Sequence, residues 1–238
     1  MGIHGSQGST EFLVLKLKAP MQSWGGHTYE DKRHTEDFPV FSSLVGLIGG
    51  CLGYDRADSD KLSVLSKSID TASRLDYREV KYTDDYGDEK SYQLPFSKMI
   101  DFQTIGWVNG VLQVSGDIRK DLVVSLHEYL CDAEFTVTVR VLDRSYLLMS
   151  TLVGAVKRPI YSPFLGRKCC IPTRPVFEGI VTAKSHMEAL SLVEPKKGII
   201  YCDTEEGSSY SIKVRDNLIF NDRNRMYYPR IVYVHNQK

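Results

Sequence analysis

The stretch LVLKLKAPMQSWG, from Leu13 to Gly25, decides the fold because it begins with the first clear strand pattern of the chain. Its leucines alternate with valine and lysine until Ala19-Pro20 interrupts the alternation. A period of two residues is typical of a strand with one face against a core, so we predict a half-buried strand here. A polar loop is expected to follow it.

Pro39 opens the next regular segment, in which apolar residues recur at helical spacing. Its glycines, at positions 46, 49, 50 and 53, fall on a second face that carries almost no side chains. Glycine lowers helix propensity, and its usual benefit is that another backbone or a sheet can come close. We therefore predict a helix with one apolar face and one smooth face.

The remainder of the chain alternates between strand-like and helical patterns. A strand is predicted near 69–75 and another at 135–141, and a helix begins near Tyr146 and stops at Pro159. Residues 77 to about 117 are charged, tyrosine-rich and rich in turns, which favours a projecting arm. Further short strands are predicted at 176–183, 198–203, 209–216 and 226–235. This order predicts an α+β fold, with helices on one face of an antiparallel sheet and a ferredoxin-like split βαβ unit.

Composition limits the class of protein. Of 238 residues, 42% are hydrophobic and 25% are charged, which is typical of a soluble globular domain. No apolar run reaches the length that a membrane helix needs, so we expect no membrane partner. The net charge is zero, so any site for a polyanion must come from local clustering. Five cysteines without a signal-like start predict reduced thiols and a cytoplasmic protein.

A run without acidic residues is the clearest electrostatic anomaly. Residues 144–177 contain six lysines or arginines and no Asp or Glu, although acids make up 30 of the 238 residues. Gly166 precedes Arg167 and Lys168, an arrangement that lets a backbone approach a ligand between cations. Aromatic faces at Tyr161 and Phe164 suit stacking of unpaired bases. A solvated helix end is the alternative explanation.

Other chemistry is less well supported. Cys169 and Cys170 are adjacent, whereas paired zinc ligands are usually separated by two to four residues, so we predict no metal and no cofactor. A cluster of His27, Tyr29, Lys32, Arg33 and His34 could supply a base and cations for metal-independent RNA cleavage. The Gly-Arg-Lys loop by itself would also fit an enzyme for a small anionic metabolite.

Five blocks of the chain resemble the CasD family, the Cas-five subunit of the type I-E CRISPR surveillance complex Cascade. They occur in family order over about 13–177, and they are LVLKLKAPMQSWG, FPVFSSLVGLIGGCLGYDR, DFQT, EYLCDAEFTV and YSPFLGRKCC. The resemblance implies a repeat-associated (RAMP) fold, with an RRM-like ferredoxin core, a long β-hairpin thumb and a small C-terminal β-rich part. The predicted organisation is a leader at 1–11, a core at 12–160 with the thumb arm at about 77–117, and a basic glycine loop with a small sheet at 161–238.

The resemblance also implies a function without catalysis. The subunit would hold the 5′ handle of the crRNA, cap the CasC backbone and abut the CasA subunit, while target DNA is met only through the complex and CasE cuts the RNA. The implied RNA-binding positions are Gln22, Ser23, Trp24, Arg33, Thr35, Arg56, Tyr161, Gly166, Arg167 and Lys168. Val40-Phe41 and His127 depart from the family pattern, and no contact is carried over to them. The alternative is a CRISPR repeat endoribonuclease, as in the type I-C relatives.

Overall fold

The computed structural model describes residues 8–29, 31–105, 111–112, 116–119, 123–144, 146–221 and 224–237. Its helices are α1 (Phe41–Cys51), α2 (Ser59–Ser68), α3 (Met149–Lys157) and α4 (His186–Ser191). Its strands are β1 (Thr10–Lys18), β2 (Met21–Gln22), β3 (Trp24–Tyr29), β4 (Lys32–Glu36), β5 (Ile69–Asp76), β6 (Arg78–Thr83), β7 (Glu89–Leu94), β8 (Ser97–Ile105), β9 (Val111–Leu112), β10 (Ile118–Arg119), β11 (Val123–Cys131), β12 (Glu134–Val141), β13 (Phe177–Ala183), β14 (Gly198–Cys202), β15 (Tyr210–Asn221) and β16 (Asn224–Gln237). No helix in these ranges is long and apolar enough to cross a membrane.

A ferredoxin-like unit organises the molecule. Along the chain it runs β1, α1 with α2, β5, β12, α3 and β13, and in the sheet its strands lie in the order β13-β1-β12-β5. Each neighbouring pair is antiparallel. This is the split βαβ arrangement that the sequence predicted, and the α+β fold class is confirmed.

Strand β1 is buried on both faces, so the prediction of a half-buried strand was wrong. Every side chain from Phe12 to Leu17 is at most 2% exposed. Its leucines join the main core with α1 and α3, whereas Phe12 packs with Ala183 and Ala189 beneath α4. The short helix α4, which the sequence did not predict, therefore covers part of the second face of the sheet.

Some predicted helices and limits agree with the structure and others do not. The helix predicted after Pro39 is α1, and the helix that stops before Pro159 is α3. The predicted leader at 1–11 overlaps β1, because Thr10 and Glu11 pair with Ala183 and Thr182 within the sheet. Helix α2 was not predicted, since its sequence is mostly polar and it buries only one edge.

The insertion between β5 and β12 is larger than the arm predicted at 77–117. It contains the β6–β7 hairpin and a long antiparallel pair of strands, β8 with β11. The returning strand β11 ends at Cys131, beyond the predicted limit, because its apolar stretch does not share the composition of the rest of the arm. At its base, the Asp132 amide donates to the Pro20 carbonyl (3.0 Å).

Two other regions differ from the prediction. The polar loop after β1 is instead strands β2, β3 and β4, which join β11 and β8 in a second sheet of five strands. The C-terminal part is rich in strands, as predicted, but β14, β16 and β15 extend the main sheet to seven strands beyond β5. A local strand pattern does not show which other strand it will pair with. The sequence therefore did not predict that β14 pairs with β5 and continues the main sheet.

Candidate nucleic-acid interface

The basic glycine loop, residues 161–170, lies between α3 and β13 and is closed by its own backbone. Leu165 N donates to Cys170 O (2.8 Å), and Cys170 N donates to Arg167 O (2.9 Å). Leu165 is fully buried, and its carbonyl accepts from Ser23 N (3.1 Å). The loop is therefore attached to the segment that joins β2 and β3, about 140 residues earlier in the chain.

Gly166 is required by this attachment. Its φ is +91°, and a Cβ added there would lie 1.6 Å from the carbonyl oxygen of Ser23. No side chain fits such a separation, and L-residues rarely adopt this φ. The sequence suggested that this glycine admits a ligand, but the close approach is made by the chain itself.

Arg167 points toward the protein. Its Nη2 donates to Arg33 O (3.1 Å), and its guanidinium carbon lies 4.7 Å from the centre of the Tyr129 ring. Partial burial, together with the Arg167 and Arg33 guanidinium groups, lowers the pKa of His127. Arg167 thus holds the loop against β4 and β11.

Four of the predicted RNA-binding side chains are buried: Gln22, Ser23, Trp24 and Thr35. Gln22 Nε2 donates to Ala133 O (2.6 Å), and the Thr35 hydroxyl accepts from Trp24 N (2.7 Å). These side chains join the strands beneath the loop, so in this structure they support it from within and present no surface to a ligand.

A groove of about 730 Å³ lies beside the loop. It is lined by residues of α1 and of the segment after it, by Leu62 of α2, by the glycine loop and by Tyr227 of β16. Four predicted residues line it, namely Arg56, Tyr161, Gly166 and Lys168, whereas Arg33 lies on β4 outside this lining. The other lining residues are Ser43, Gly46, Leu47, Gly50, Tyr54, Asp55, Leu62, Ser162, Pro163, Phe164 and Tyr227.

The smooth face of α1 forms the floor of this groove. Gly46 and Gly50 both line it, and a Cβ added at either would meet open space. Gly50 O accepts from Tyr161 N (3.2 Å), which joins the helix to the loop. Close packing occurs at Gly49, but against a side chain and not against the backbone or sheet that was predicted: an added Cβ would lie 2.7 Å from Leu62 Cδ2 of α2.

The charges of the groove are mixed. Arg56 and Lys168 are exposed cations, while Asp55 accepts a hydrogen bond from the Tyr161 hydroxyl (3.4 Å). Arg174, another cation of the acid-free run, pairs instead with Glu178. The basic run therefore supplies one cation to the groove, and Arg56 reaches it from another part of the chain.

The two cysteines of the loop lie next to each other. Cys169 Sγ lies 4.0 Å from Cys170 Sγ, and burial raises the pKa of Cys170 to about 11. Within the residues that the structure describes, no group of three His, Cys, Asp or Glu side chains could hold a metal ion.

The proposed histidine cluster is only partly described, because the side chains of His27 and Tyr29 lie outside the described residues. His34 Nδ1 lies 2.8 Å from Glu128 Oε1, and Glu128 also accepts from Thr35 N (3.2 Å). These bonds outweigh partial burial and lower the pKa of Glu128. His34 is not among the residues that line the groove.

Similarity to known proteins identifies the family of this chain. A family model described as CRISPR-associated protein (Cas_Cas5) matches residues 12–235. The chain belongs to this family. CRISPR system Cascade subunit CasD of Escherichia coli (strain K12) is 36% identical over 201 residues, which cover 81% of each chain.

Solved structures support the fold of this Cas_Cas5 chain. A chain of a "CRISPR RNA-guided surveillance complex" superposes with a TM-score of 0.67 at 24% identity, over 94% of this chain and 89% of the other. A structure described as "Crystal structure of Cas protein" gives a TM-score of 0.58 at 23% identity, over 94% and 95%. At these identities the likeness concerns architecture.

Sequence reasoning missed two aromatic residues of the groove, Tyr54 and Tyr227. Tyr54 follows the glycine helix and had a local signal, since it is the first aromatic side chain after the smooth face. Tyr227 had none, because its place in the groove depends on how the C-terminal hairpin lies across α1.

Proposed function

We propose that this protein is a structural, crRNA-binding subunit of a cytoplasmic type I-E CRISPR surveillance complex, and that its groove holds the 5′ handle of the crRNA. The observation that carries the proposal is the groove itself, where exposed aromatic rings and two cations meet a smooth helix face. Its family membership, and its relative named a Cascade subunit, support the same role.

The chemistry of the groove suits single-stranded RNA. Unpaired bases stack on aromatic side chains, and phosphates are attracted by cations at the side of a groove. Tyr161 and Phe164 are 46% and 40% exposed, so both rings are accessible to a ligand. Helix α1 places no side chain at Gly46 or Gly50, which leaves room for a backbone to bend.

Lys168 tests the role of the groove. We expect Lys168→Ala to weaken RNA binding and to reduce the slope of log K against log salt by about 0.7, the value for one lost contact to a single-strand phosphate. The measurement is a titration of the full chain with repeat-derived RNA at several salt concentrations. Lys196→Ala is the matched control, because Lys196 is exposed and does not line the groove.

Equal affinities and slopes for Lys168→Ala and Lys196→Ala would contradict this assignment. The Arg167→Ala variant should behave differently from Lys168→Ala. Since Arg167 binds Arg33 O and Tyr129, its loss should loosen the loop and lower thermal stability as well as RNA affinity.

Assembly tests the partners. We propose that the chain caps the CasC backbone beside CasA and meets target DNA only through the assembled complex. Co-expression with the neighbouring subunits and a crRNA should give a particle that contains this chain and an RNA with a defined 5′ end. A particle that forms without this chain and protects the same RNA end would contradict the proposal.

The alternative, a metal-independent repeat endoribonuclease, has its own test. Purified protein is incubated with labelled repeat RNA in the presence of a chelator. We propose a non-catalytic role and expect intact RNA. Cleavage that His27→Ala or His34→Ala abolishes would establish the alternative.

A further inference from the structure

The aromatic residues of the groove come from three distant parts of the chain. Tyr54 follows α1, Tyr161 and Phe164 belong to the glycine loop, and Tyr227 lies on β16 of the C-terminal hairpin. Tyr227 is 48% exposed, which is close to the 46% of Tyr161. The hairpin therefore presents an accessible ring to the same space that the loop lines.

A buried carboxylate fixes the hairpin in this position. Asp216 is fully buried, and its Oδ2 accepts from the backbone N–H of Phe41, the first residue of α1 (2.7 Å). Arg230, on the partner strand, donates to the same carboxylate at 2.6 and 2.8 Å. The free amides at a helix N-terminus favour a negative charge, so this contact ties β15 and β16 to the helix that floors the groove.

We propose that Tyr227 is a base-stacking residue and that the C-terminal hairpin is the outer wall of the RNA groove. This inference rests on the proposed function and assigns a binding role to a segment far from the basic loop. A neutral, half-exposed ring gains little from a phosphate but offers a π-face to any base.

The charges of the groove argue for a base at the aromatic positions. Phosphates are expected near Arg56 and Lys168, whereas the Asp55 carboxylate repels them. The Asp55 carboxylate can instead accept hydrogen bonds from base N–H groups or from a 2′-hydroxyl, and the Tyr161 hydroxyl can accept or donate them. A strand of RNA satisfies both kinds of position, while a free anion satisfies only the cations.

The experiment compares two ligands on the full-length chain. One is a labelled oligouridylate of about eight nucleotides, a length within the range that single-strand-binding domains cover. The other is a ribose-phosphate oligomer of the same length that carries no bases. Tyr227→Ala should weaken binding of the oligouridylate about fivefold or more, with an unchanged salt slope. Tyr227→Phe should retain the affinity, because it keeps the ring.

The abasic oligomer separates stacking from other contacts. Wild type and Tyr227→Ala should bind it equally, since no base is present to stack. Tyr228→Ala is the control, because Tyr228 is the adjacent residue and is 44% exposed but does not line the groove. It should bind both oligomers as the wild type does.

The other outcomes are distinct. If Tyr227→Ala binds the oligouridylate like wild type, or loses equal affinity for both oligomers, the stacking role is overturned while the proposed function stands. If wild type binds neither these oligomers nor the repeat-derived RNA, the proposed function fails first. Asp216→Asn should reproduce the selective loss with oligouridylate, and an unchanged preference for bases in that variant would overturn the hairpin's role as a wall.

Discussion

At the scale of single residues, Gly166 and Ser23 show how two separate blocks of sequence depend on one another. The block around Gln22–Trp24 and the block around Gly166–Lys168 both resemble parts of an RNA-binding family. In the structure, one lies beneath the other, and only the second reaches the groove. The two blocks that the resemblance predicts to bind RNA are therefore in contact, but the side chains of the first are buried and only the second lines the groove.

Gly166→Ala should be far more damaging than an ordinary glycine substitution. The new methyl group would overlap the Ser23 carbonyl at 1.6 Å, in addition to the cost of a positive φ. We expect a loss of several kcal/mol in the free energy of unfolding, or displacement of the loop with loss of RNA binding. Chemical denaturation and RNA titration measure the two effects.

Gly207→Ala provides the comparison for this prediction. Gly207 has a φ of +76°, but an added Cβ would meet nothing within 4 Å. It should therefore show the backbone cost alone, about 1 kcal/mol, with normal RNA binding. Similar losses in the two variants would mean that the contact with Ser23 is not what requires glycine at 166.

At the scale of elements, short helix α4 is held to the sheet by polar contacts. Arg74, which is fully buried, donates to Leu190 O (2.6 Å) and Val193 O (2.9 Å) at the end of the helix. At its beginning, His186 Nε2 lies 3.1 Å from Asp70 Oδ1, and Arg140 pairs with the same carboxylate. These contacts explain why six residues can cover the second face of the sheet.

Asp70 gives this helix a predictable dependence on pH. Burial alone would raise the pKa of Asp70, but the neighbouring His186 and Arg140 outweigh it and hold that pKa below its ordinary value. A lowered pKa means that the charged carboxylate stabilises the fold above its unfolded pKa of about 3.9. This contribution is lost as the pH falls through the lower pKa of the folded state.

Asp70→Asn should therefore lower the free energy of unfolding by about 2–3 kcal/mol at neutral pH. The difference from wild type should shrink below about pH 4, as the wild-type carboxylate becomes protonated. Denaturant titrations across this range measure it, with Glu206→Gln as an exposed control. A difference that stays constant down to pH 2 or so would show that charge is not the cause.

At the scale of the whole molecule, the seven-stranded sheet combines the ferredoxin-like unit with the C-terminal strands, and the insertion after β5 is added to it. The main core draws residues from α1, α2, α3 and the strands of the sheet. None of the residues described in β6 and β7 is buried, and Tyr86 at their turn is 92% exposed. This hairpin is therefore suited to contacts outside the chain.

Replacing residues 81–91 by Asn-Gly should leave the fold intact. Val80 pairs with Tyr92, so a two-residue turn can close the shortened hairpin between them. We expect the free energy of unfolding to change by less than about 1 kcal/mol, because no core contact is removed. Incorporation into a co-expressed complex should fall, and normal incorporation would show that the hairpin is dispensable for assembly.

The sequence by itself determined the strands and helices whose patterns are local, the α+β class and the family. Alternation at 135–141, the proline before α1 and the proline after α3 all act within a few residues, so they can be interpreted without a partner. The acid-free run also contains the loop that brings Tyr161 and Lys168 to the groove, so this part of the candidate site was predictable from the sequence.

The tertiary structure decided the features that depend on contacts between residues far apart in the chain. Only it shows that β1 is covered on both faces, that Gly166 is required by Ser23, and that Arg167 faces Tyr129. Only it brings Tyr227 to a groove whose other lining residues lie 59 or more positions earlier. The local periodicity of apolar residues shows which face of a helix or strand is apolar. Long-range pairing and packing decide which other element covers that face.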